Sequence, residues 1–393
     1  MNVAWFLAAR LLRRRGSALL RTSALAALLA VALGSASLVV VLALMSGYSH
    51  ALRTGILAAS GHLVALYPPR LSSGEAAAAE ARVAAVPGVV RVGEVVYLPG
   101  LLFPRGGGAA ELVSVRANAS PPPFVHLETV AANGPLAVAV GRGVARKLSA
   151  SPGDVLALQV MIGDAPRVVA VRLGQVFSTG FAELDERFVI TDLGQLRRRV
   201  RSLPGGGLEV WLANPDQANA LRGRVERACG PGALVTTWQE TNRNLFAALH
   251  WQKISLGLVL SLVLGVGAFE VASALVVLVT EKRREFGVLL AVGGAPRLLR
   301  RVLLLAGGAL GAAGVLAGMA LGVALVVVLG ILGIPHFPPD IASIYMVDTI
   351  PLRLLPADLT SVLALSLVEV VLAASLPAIR ASRREPVEVL RWV

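Results

Sequence analysis

The stretch from residue 302 to residue 334 reads VLLLAGGALGAAGVLAGMALGVALVVVLGILGI and contains no charged residue. About 20 apolar residues in a helix are enough to cross the hydrocarbon core of a bilayer. Three more segments meet this criterion: 22–46 is uncharged, 254–280 is interrupted only by Glu270, and 359–379 only by Glu369. The first is too long for the apolar core of a signal peptide, so we expect an uncleaved anchor. The sequence therefore predicts four transmembrane helices.

The composition excludes several classes of protein. Of 393 residues, 55% are hydrophobic and only 16% charged, whereas soluble proteins carry about 25% charged residues. The single cysteine, Cys229, excludes an intramolecular disulfide and a cysteine metal cluster. The five histidines are scattered, and no P-loop, zinc-protease or nucleophile-elbow motif occurs. We therefore expect a non-catalytic chain that binds no metal or cofactor.

The basic residues predict the orientation. The net charge is +13, and Lys and Arg concentrate in the lead before the first span, in the 281–301 loop and in the tail. Short cytoplasmic segments carry this excess, so both termini and the loop are expected inside. Residues 47–252 and 335–358 are then outside. No nucleic acid partner is expected, because the basic residues flank spans and lack aromatic stacking partners.

The external region mixes strand-like and helix-like runs irregularly, which is typical of an α+β domain of one or two lobes. The predicted strands are 89–98, 112–116, 155–160, 168–177, 188–191 and 208–212, and the predicted helices are 74–86, 141–148, 192–201, 215–228 and 238–251. The predicted organisation is an interfacial N-terminal helix (1–21), a first span (22–46), the periplasmic α+β domain (47–252), a second span (253–280), a cytoplasmic loop (281–301), a third span (302–334), a short periplasmic loop (335–358), a fourth span (359–380) and a cytoplasmic tail (381–393).

Two features of the spans have more than one interpretation. Glu270 and Glu369 are either a proton relay or substrate contact, or hydrogen-bonded residues at helix–helix contacts. Gly314, Gly318 and Gly322 recur at every fourth position, a spacing that lets helix backbones approach closely in lipid. We favour general helix packing over a dimer seam for these glycines.

The 281–301 loop predicts a helix, a break at Gly293-Gly294, and a new helix that begins near Pro296. A short, charged and partly apolar helix on the inner face suits contact with a cytosolic partner. The loop resembles the coupling segment of FtsX/MacB-type ABC transporter permeases, whose pattern is roughly E-R-x-x-E-I-G-x-L-x-A-x-G-A. The tail from Pro377 to Arg391, PAIRASRREPVEVLR, resembles the ending of the same family.

Further segments are similar to the lipoprotein-releasing permeases of the LolC/LolE type within this superfamily. These segments are 39–57 (VVVLALMSGYSHALRTGIL), 177–181 (FSTGF) with Asp185 following, and 238–247 (WQETNRNLFA). The resemblance implies an α-helical membrane protein with four transmembrane helices in a 1+3 arrangement. A large extracytoplasmic α+β domain lies between the first and second helices in this family.

The resemblance also implies the partners and the sites. The chain would be a permease subunit in the bacterial inner membrane, paired with a second permease, the same or paralogous, on a cytosolic ABC ATPase dimer that binds ATP and Mg. The cargo would be lipoproteins, extracted from the membrane and passed to a periplasmic carrier. The implied ATPase-coupling residues are Glu281, Arg284, Glu285, Phe286, Gly287, Leu290, Gly293 and Ala295. The implied cargo cavity contains Val40, Leu44, Met45, Tyr48 and Phe269.

Two other functions remain open at this point. A permease of the same superfamily could drive efflux with an outer channel or regulate a cell-wall hydrolase. A membrane-bound hydrolase or proton-coupled transporter could use Glu270 and Glu369. The turn from Met161 to Arg167, where the family docks its carrier, is short, which leaves direct carrier docking open.

Overall fold

The structure is a computed structural model, and it describes residues 4–7, 10, 18–67, 73–104, 107–122, 124–127, 134–162, 165–179, 182–200, 203, 206–293, 295–332 and 352–382. It divides into two compact units. The helical unit comprises residues 1–48, 248–334 and 351–393, and the α/β unit comprises 49–247 and 335–350. Most of the predicted interfacial helix, most of the 335–358 loop and the tail after Ser382 lie outside the described residues.

Regular elements cover most of the described chain. In chain order they are α1 (Ala18–Ala59), β1 (Leu63–Leu66), α2 (Ser73–Ala84), β2 (Val89–Phe103), β3 (Glu111–Asn118), β4 (Leu136–Gly141), α3 (Arg142–Lys147), β5 (Val155–Ile162), β6 (Ala165–Phe177), α4 (Ala182–Arg187), β7 (Phe188–Asp192), α5 (Leu193–Arg199), β8 (Gly207–Leu212), a 3-10 turn (Pro215–Gln217), α6 (Ala218–Cys229), β9 (Leu234–Thr237), α7 (Trp238–Thr241), α8 (Arg243–Glu281), α9 (Arg283–Ala291), α10 (Pro296–Ile331) and α11 (Pro356–Ser382).

Among the described residues, four helices are long and apolar enough to cross a membrane, namely α1, α8, α10 and α11. The helices α1 and α8 extend well beyond the predicted spans, since they have 42 and 39 residues. A helix of that length measures about 60 Å, twice the thickness of the hydrocarbon core. The described residues of each predicted span lie inside one of these helices, except Leu332, which follows the end of α10.

Glycines on α10 allow its neighbours to approach closely. A side chain at Gly318 would collide with the backbone of Ala32 and the hydroxyl of Ser35 on α1, and one at Gly311 with Val370 on α11. Gly314 and Gly322 contact α1 in the same way. These contacts lie within one chain, so the interpretation as helix packing is confirmed for these positions.

The α/β unit is built around the 15-residue strand β2. The end of β2 near residue 89 pairs with β8, which continues into β1 and β9. Its other end pairs with β3 and β5, and the order β2-β3-β7-β4-β6-β5 closes on itself as a six-stranded barrel. Helices α2 and α6 pack beside the open sheet. The external region is therefore α+β, with two lobes that share one strand.

The strands β1, β4 and β9 and the short helix α4 are absent from the predicted elements. Every residue of β4 is buried, so this strand lacks the apolar–polar alternation that predicts a strand. β1 and β9 have only four residues each, which is too short for a periodic signal. Tertiary contacts rather than local pattern define these elements.

We predict that Gly318→Leu destabilises the helical unit by about 3 kcal/mol or more, because a side chain there forces α10 away from α1. The matched control is Gly308→Leu on the same helix, since no atom lies within 4 Å of a side chain built at Gly308. Thermal unfolding of the purified full-length chain in detergent measures both variants. Equal melting temperatures for the two leucine variants would contradict the packing assigned to α10.

We expect His62 to make the stability of the α/β unit depend on pH. Its Nδ1 accepts a hydrogen bond from the backbone N–H of Leu212 at 2.9 Å, so that nitrogen is unprotonated in the folded state. Burial lowers the pKa of His62 from its ordinary value of 6.5. Below about pH 6.5 the unfolded chain takes up a proton that the folded chain does not. The stability from the neutral imidazole is thus complete above pH 6.5 and is lost as pH falls towards the lowered pKa.

We therefore predict faster amide exchange in β1 and β8 at pH 5.5 than at pH 7.5, after correction for intrinsic rates. His62→Gln keeps a hydrogen-bond acceptor without a titrating group, so its pH dependence should be smaller. His126→Gln, at an exposed histidine, serves as the control and should behave like the parent chain. An unchanged pH dependence in His62→Gln would exclude His62 as the cause.

Candidate functional site

The helix α9 lies in the predicted coupling loop. Lys282 separates it from α8, and Gly293 follows its end with a φ of +94°, a conformation that favours glycine. Pro296 is the first residue of α10, where its missing N–H costs nothing. The predicted helix, break and restart are all present, with one additional break at Lys282.

One face of α9 is packed into the helical unit. Phe286 is 8% exposed and belongs to a cluster with residues from α8, α10 and α11. Gly287 is buried and Leu290 half-buried. Three predicted coupling residues thus anchor the helix instead of forming its outer surface. The cluster around Phe286 comprises Ala4, Leu275, Leu278, Leu299, Val302, Leu303, Ala306, Ala374, Ala378 and Ala381.

The other face of α9 is exposed and mixes charged with apolar side chains. Arg284 and Glu285 are exposed, and Glu285 accepts a hydrogen bond from Lys282 Nζ at 2.7 Å. Val288 and Val292 are 53% and 83% exposed, although neither is among the predicted coupling residues. The sequence could have indicated their exposure, because they follow Arg284 by one and two helical turns and so lie on the same face of the helix.

The remaining predicted coupling residues lie at the ends of this segment. Glu281 ends α8 and is exposed, and Gly293 and Ala295 are exposed on either side of the break. Ala295 is the N-cap residue of α10. Arg284, Glu285, Val288 and Val292 form an exposed surface that a partner protein can reach, called the coupling face below.

The residues predicted to form the cargo cavity lie at two separate places in the helical unit. Val40, Leu44, Met45 and Tyr48 are half-buried on α1. They are level with Lys253 on α8, since Lys253 contacts Ser46. Phe269 is 16 residues further along α8, or about 24 Å at 1.5 Å per residue. Exposed residues of α8 at the level of the α1 group are Ile254 and Leu258, which were not predicted.

A polar cluster joins α1, α8 and α11 at this level. Lys253 Nζ donates to Asp358 Oδ1 at 2.7 Å and to Ser46 Oγ at 2.9 Å, and the Ser46 hydroxyl donates to Asp358 Oδ2 at 2.5 Å. The lysine side chain is 30% exposed and the aspartate side chain 15%. The sequence does not predict this cluster, because its three members lie on separate helices far apart in the chain.

The two intramembrane acids have different environments. The Ser261 hydroxyl donates to Glu369 Oε1 at 2.7 Å, which joins α8 to α11. The other oxygen of Glu369 is buried and has no hydrogen-bond partner among the described residues. Glu270 is exposed on α8 and makes no hydrogen bond or ion pair with the described part of the chain. Glu369 therefore matches the helix-contact interpretation, whereas Glu270 faces outward.

The α/β unit contains a buried ion pair where its two lobes meet. Arg116 on β3 donates to Glu209 on β8, and both side chains are almost completely buried. Asn118 and the hydroxyl of Tyr97 also donate to the Glu209 carboxylate. Burial beside this carboxylate raises the pKa of Tyr97, so the phenol stays protonated. The cluster fixes β3 and β8 on either side of β2.

The other segments that carry the family resemblance form local structure. Asp185 is buried and accepts hydrogen bonds from the hydroxyl of Ser178 and from the backbone N–H of Thr179. Gly141 and Gly143 admit the backbone around Asp185, so these glycines serve packing. The described residues contain no group of three His, Cys, Asp or Glu side chains that could hold a metal ion.

We predict a coupling energy of about 1–2 kcal/mol between Lys253 and Asp358, as expected for a partly buried ion pair. Lys253→Met and Asp358→Asn should each destabilise the helical unit, and the double variant should cost less than their sum. Detergent-unfolding curves of the purified chain measure the cycle. The control is the pair Lys282–Glu285, in which the glutamate side chain is 48% exposed. Replaced by Met and Gln, this pair should couple by less than about 1 kcal/mol. Additive effects at Lys253 and Asp358 would contradict a stabilising pair.

Two family models match the chain and together cover most of its length. The MacB-like periplasmic core domain matches residues 24–228, and the FtsX-like permease C-terminal domain matches residues 257–386. The first match includes most of α1 and most of the α/β unit. The second includes the part of α8 from residue 257 onward, together with α9, α10 and α11.

Curated relatives share modest identity with this chain. The lipoprotein-releasing system transmembrane protein LolC of Xylella fastidiosa strain 9a5c is 28% identical over 65% of this chain and 64% of its own length. The protein of that name from Haemophilus influenzae is 24% identical over 93% of this chain and 92% of its own length. LolE of the same organism is 24% identical over 64% of this chain. The chain thus matches just under two thirds of the first relative.

Two solved structures show a low overall likeness. The extracellular domain of the noncanonic ABC-type transporter YknZ from Gram-positive bacteria covers 44% of this chain at 15% identity, with a TM-score of 0.31. The periplasmic region of MacB from Actinobacillus actinomycetemcomitans covers 48% at 10% identity, with a TM-score of 0.30. The family assignment rests on the sequence matches. With a MacB-like core domain over half its length and an FtsX-like domain after it, this chain belongs to the FtsX/MacB superfamily of ABC transporter permeases, and its curated relatives are named LolC and LolE.

Proposed function

We propose that this chain is the non-catalytic permease subunit of an ABC transporter that extracts lipoproteins from the inner membrane for delivery towards the outer membrane. A separate cytosolic ATPase dimer would bind ATP and Mg and supply the energy. The names of the LolC and LolE relatives and the two matched domains support this function. The chain itself would move in response to its partner and catalyse no reaction.

The observation that carries the proposal is the two-faced packing of α9. Its coupling face is exposed, while Phe286 on the other face packs against α8, α10 and α11. A force applied to the coupling face would therefore be transmitted to three apolar helices through one buried aromatic ring. Charged and apolar side chains together, as on this face, are typical of transient protein interfaces.

The orientation follows from the charge distribution. Arg283 and Arg284 begin α9, and the first two turns of α10 contain Arg297, Arg300 and Arg301. Such clusters stay on the cytoplasmic side. We propose that both termini are also cytoplasmic, with one span before the periplasmic domain and three after it. In this orientation the coupling face meets the ATPase and the α/β unit lies in the periplasm.

A second permease, identical or paralogous, would complete the transporter. The face of α8 with Leu262 and Val266 is exposed, and Glu270 lies one turn after Val266 on the same face. An uncompensated carboxylate facing lipid is costly, so a partner helix that covers this face would remove the cost. The half-buried group Val40, Leu44, Met45 and Tyr48 on α1 lies at the opposite end of the helical unit from α9. We propose that the acyl chains of the cargo bind there.

Transfer to a periplasmic carrier is the last step in this proposal. In the α/β unit only two residues separate Ile162 and Ala165, which pair across the β5–β6 hairpin. A carrier-docking loop at this hairpin would therefore be short. Docking of the carrier to the second permease is consistent with this geometry, because it does not need a long loop on this chain.

Substitutions on the coupling face test whether this chain binds an ATPase there. We expect the chain, tagged and expressed from its own locus, to co-purify with an ABC ATPase. Val288→Asp and Arg284→Glu should reduce the retained ATPase about tenfold, the loss expected for interface residues near a hot spot. Val168→Asp is the matched control, because Val168 is an exposed valine on the α/β unit. The amount of ATPase per permease, measured by quantitative mass spectrometry, gives the result.

Three results would contradict the proposal: ATP hydrolysis by the purified chain alone, no co-purified ATPase, or full retention of the ATPase by Val288→Asp. The cargo is tested separately in inner-membrane vesicles, where ATP should release lipoproteins from parent vesicles and not from Val288→Asp vesicles. Crosslinking of the α/β unit to a cell-wall hydrolase or an outer channel would favour the related functions of the superfamily.

A further inference from the structure

A groove runs between α8 and α11 at the end of the helical unit near α9. Its volume is about 380 Å³, and most of its lining residues are apolar, among them Phe269, Val276, Val279 and Leu376. Along α8 it extends from Phe269 to Thr280, which corresponds to about 16 Å at 1.5 Å per residue. One leaflet is about half of the 30 Å hydrocarbon core. The groove therefore matches the depth of a single leaflet.

Arg380 lies at the end of this groove. It is exposed and forms no ion pair or hydrogen bond with any residue in the described ranges, although it lines the cavity. A guanidinium stays charged under all physiological conditions and matches the geometry of a phosphate. A groove of leaflet depth that ends in a guanidinium with no partner among the described residues is complementary to one acyl chain joined to an anionic headgroup.

We propose that this groove binds an anionic phospholipid, with an acyl chain along Phe269, Val276 and Leu376 and its phosphate at Arg380. Basic pockets between transmembrane helices are known to bind such headgroups. An apolar helix of a second permease is a poorer occupant, because it would bury the Arg380 charge without a partner. The site is distinct from the proposed cargo cavity, since Val40 and Tyr48 lie at the other end of the unit.

The lipid would also contact the buried cluster that holds α9 against the other helices. Ala381 lines the groove and belongs to the buried cluster around Phe286. Leu275, Leu278 and Ala374 in that cluster lie on the same two helices that form the groove walls. An acyl chain between α8 and α11 would therefore hold the two helices at the spacing that Phe286 requires. This lipid is a structural ligand of the permease.

Native mass spectrometry of the purified full-length chain tests the site directly. The chain is incubated with equal amounts of palmitoyl-oleoyl phosphatidylglycerol and palmitoyl-oleoyl phosphatidylcholine. We expect one retained phosphatidylglycerol, preferred about fivefold, the selectivity expected from one basic residue at the membrane surface. Arg380→Gln should abolish the preference, and Arg380→Lys should keep part of it. Arg300→Gln, which removes an exposed arginine on α10 outside the groove, is the matched control.

A second variant tests the apolar part of the groove. Ser273 is exposed and lines the cavity, so Ser273→Phe should fill it and reduce the retention of both lipids. Ser255→Phe, at an exposed serine of α8 away from the groove, should retain lipid like the parent chain. Neither ATPase nor cargo enters these measurements, so their outcome is independent of the proposed transport function.

The proposal is overturned by any of three results. The first is an unchanged preference for phosphatidylglycerol in Arg380→Gln, and the second is equal retention of the two lipids by the parent chain. The third is a groove covered by another protein copy, which would appear as disulfide-linked dimers of Ser273→Cys in membranes together with unchanged lipid retention in Ser273→Phe.

Discussion

The close approach of helix backbones along α10 is the constraint on which the helical unit depends. Lipid provides no hydrophobic force between helices, so association requires van der Waals contact and hydrogen bonds. Gly318 lets α1 reach the backbone of α10, and Gly311 lets Val370 of α11 do the same. The buried cluster around Phe286 includes Leu303 and Ala306 of α10. The position of α9, and with it the coupling face, therefore follows from how closely α10 packs against its neighbours.

The α/β unit is subject to a different constraint, because its two lobes share one strand. The strand β2 belongs to both the open sheet and the closed barrel, so twisting it would change their relative orientation. Arg116 and Glu209 oppose such a change, because they connect β3 and β8 across β2. A buried ion pair adds little stability compared with apolar residues, but breaking it leaves an uncompensated charge. We infer that its main contribution is to restrict the geometry of the two lobes.

The sequence predicts the positions of the helices better than it predicts which of their residues are exposed. Long uncharged segments identify the apolar helices directly, and the glycine break predicts the end of α9. The coupling pattern identifies a segment but does not say which residues face outward: Phe286 is buried, and Val288 is exposed. Burial depends on packing between helices, which local sequence does not encode. The Lys253–Asp358 pair illustrates the same limit, because its members come together only through the packing of α8 and α11.

The few charged residues in the helical unit are informative because so many of its residues are apolar. Lys253 is compensated by Asp358, and Glu369 is partly compensated by Ser261. Glu270 and Arg380 have no such partner within the described chain, and both are exposed at the surface of the helical bundle. A carboxylate within a span is costly in lipid, whereas an arginine at the end of a span can pair with lipid headgroups. A protein helix with a donor group suits the carboxylate of Glu270, whereas a phosphate suits the guanidinium of Arg380. The two proposals thus place the second permease at Glu270 and the lipid at Arg380, on different parts of this surface.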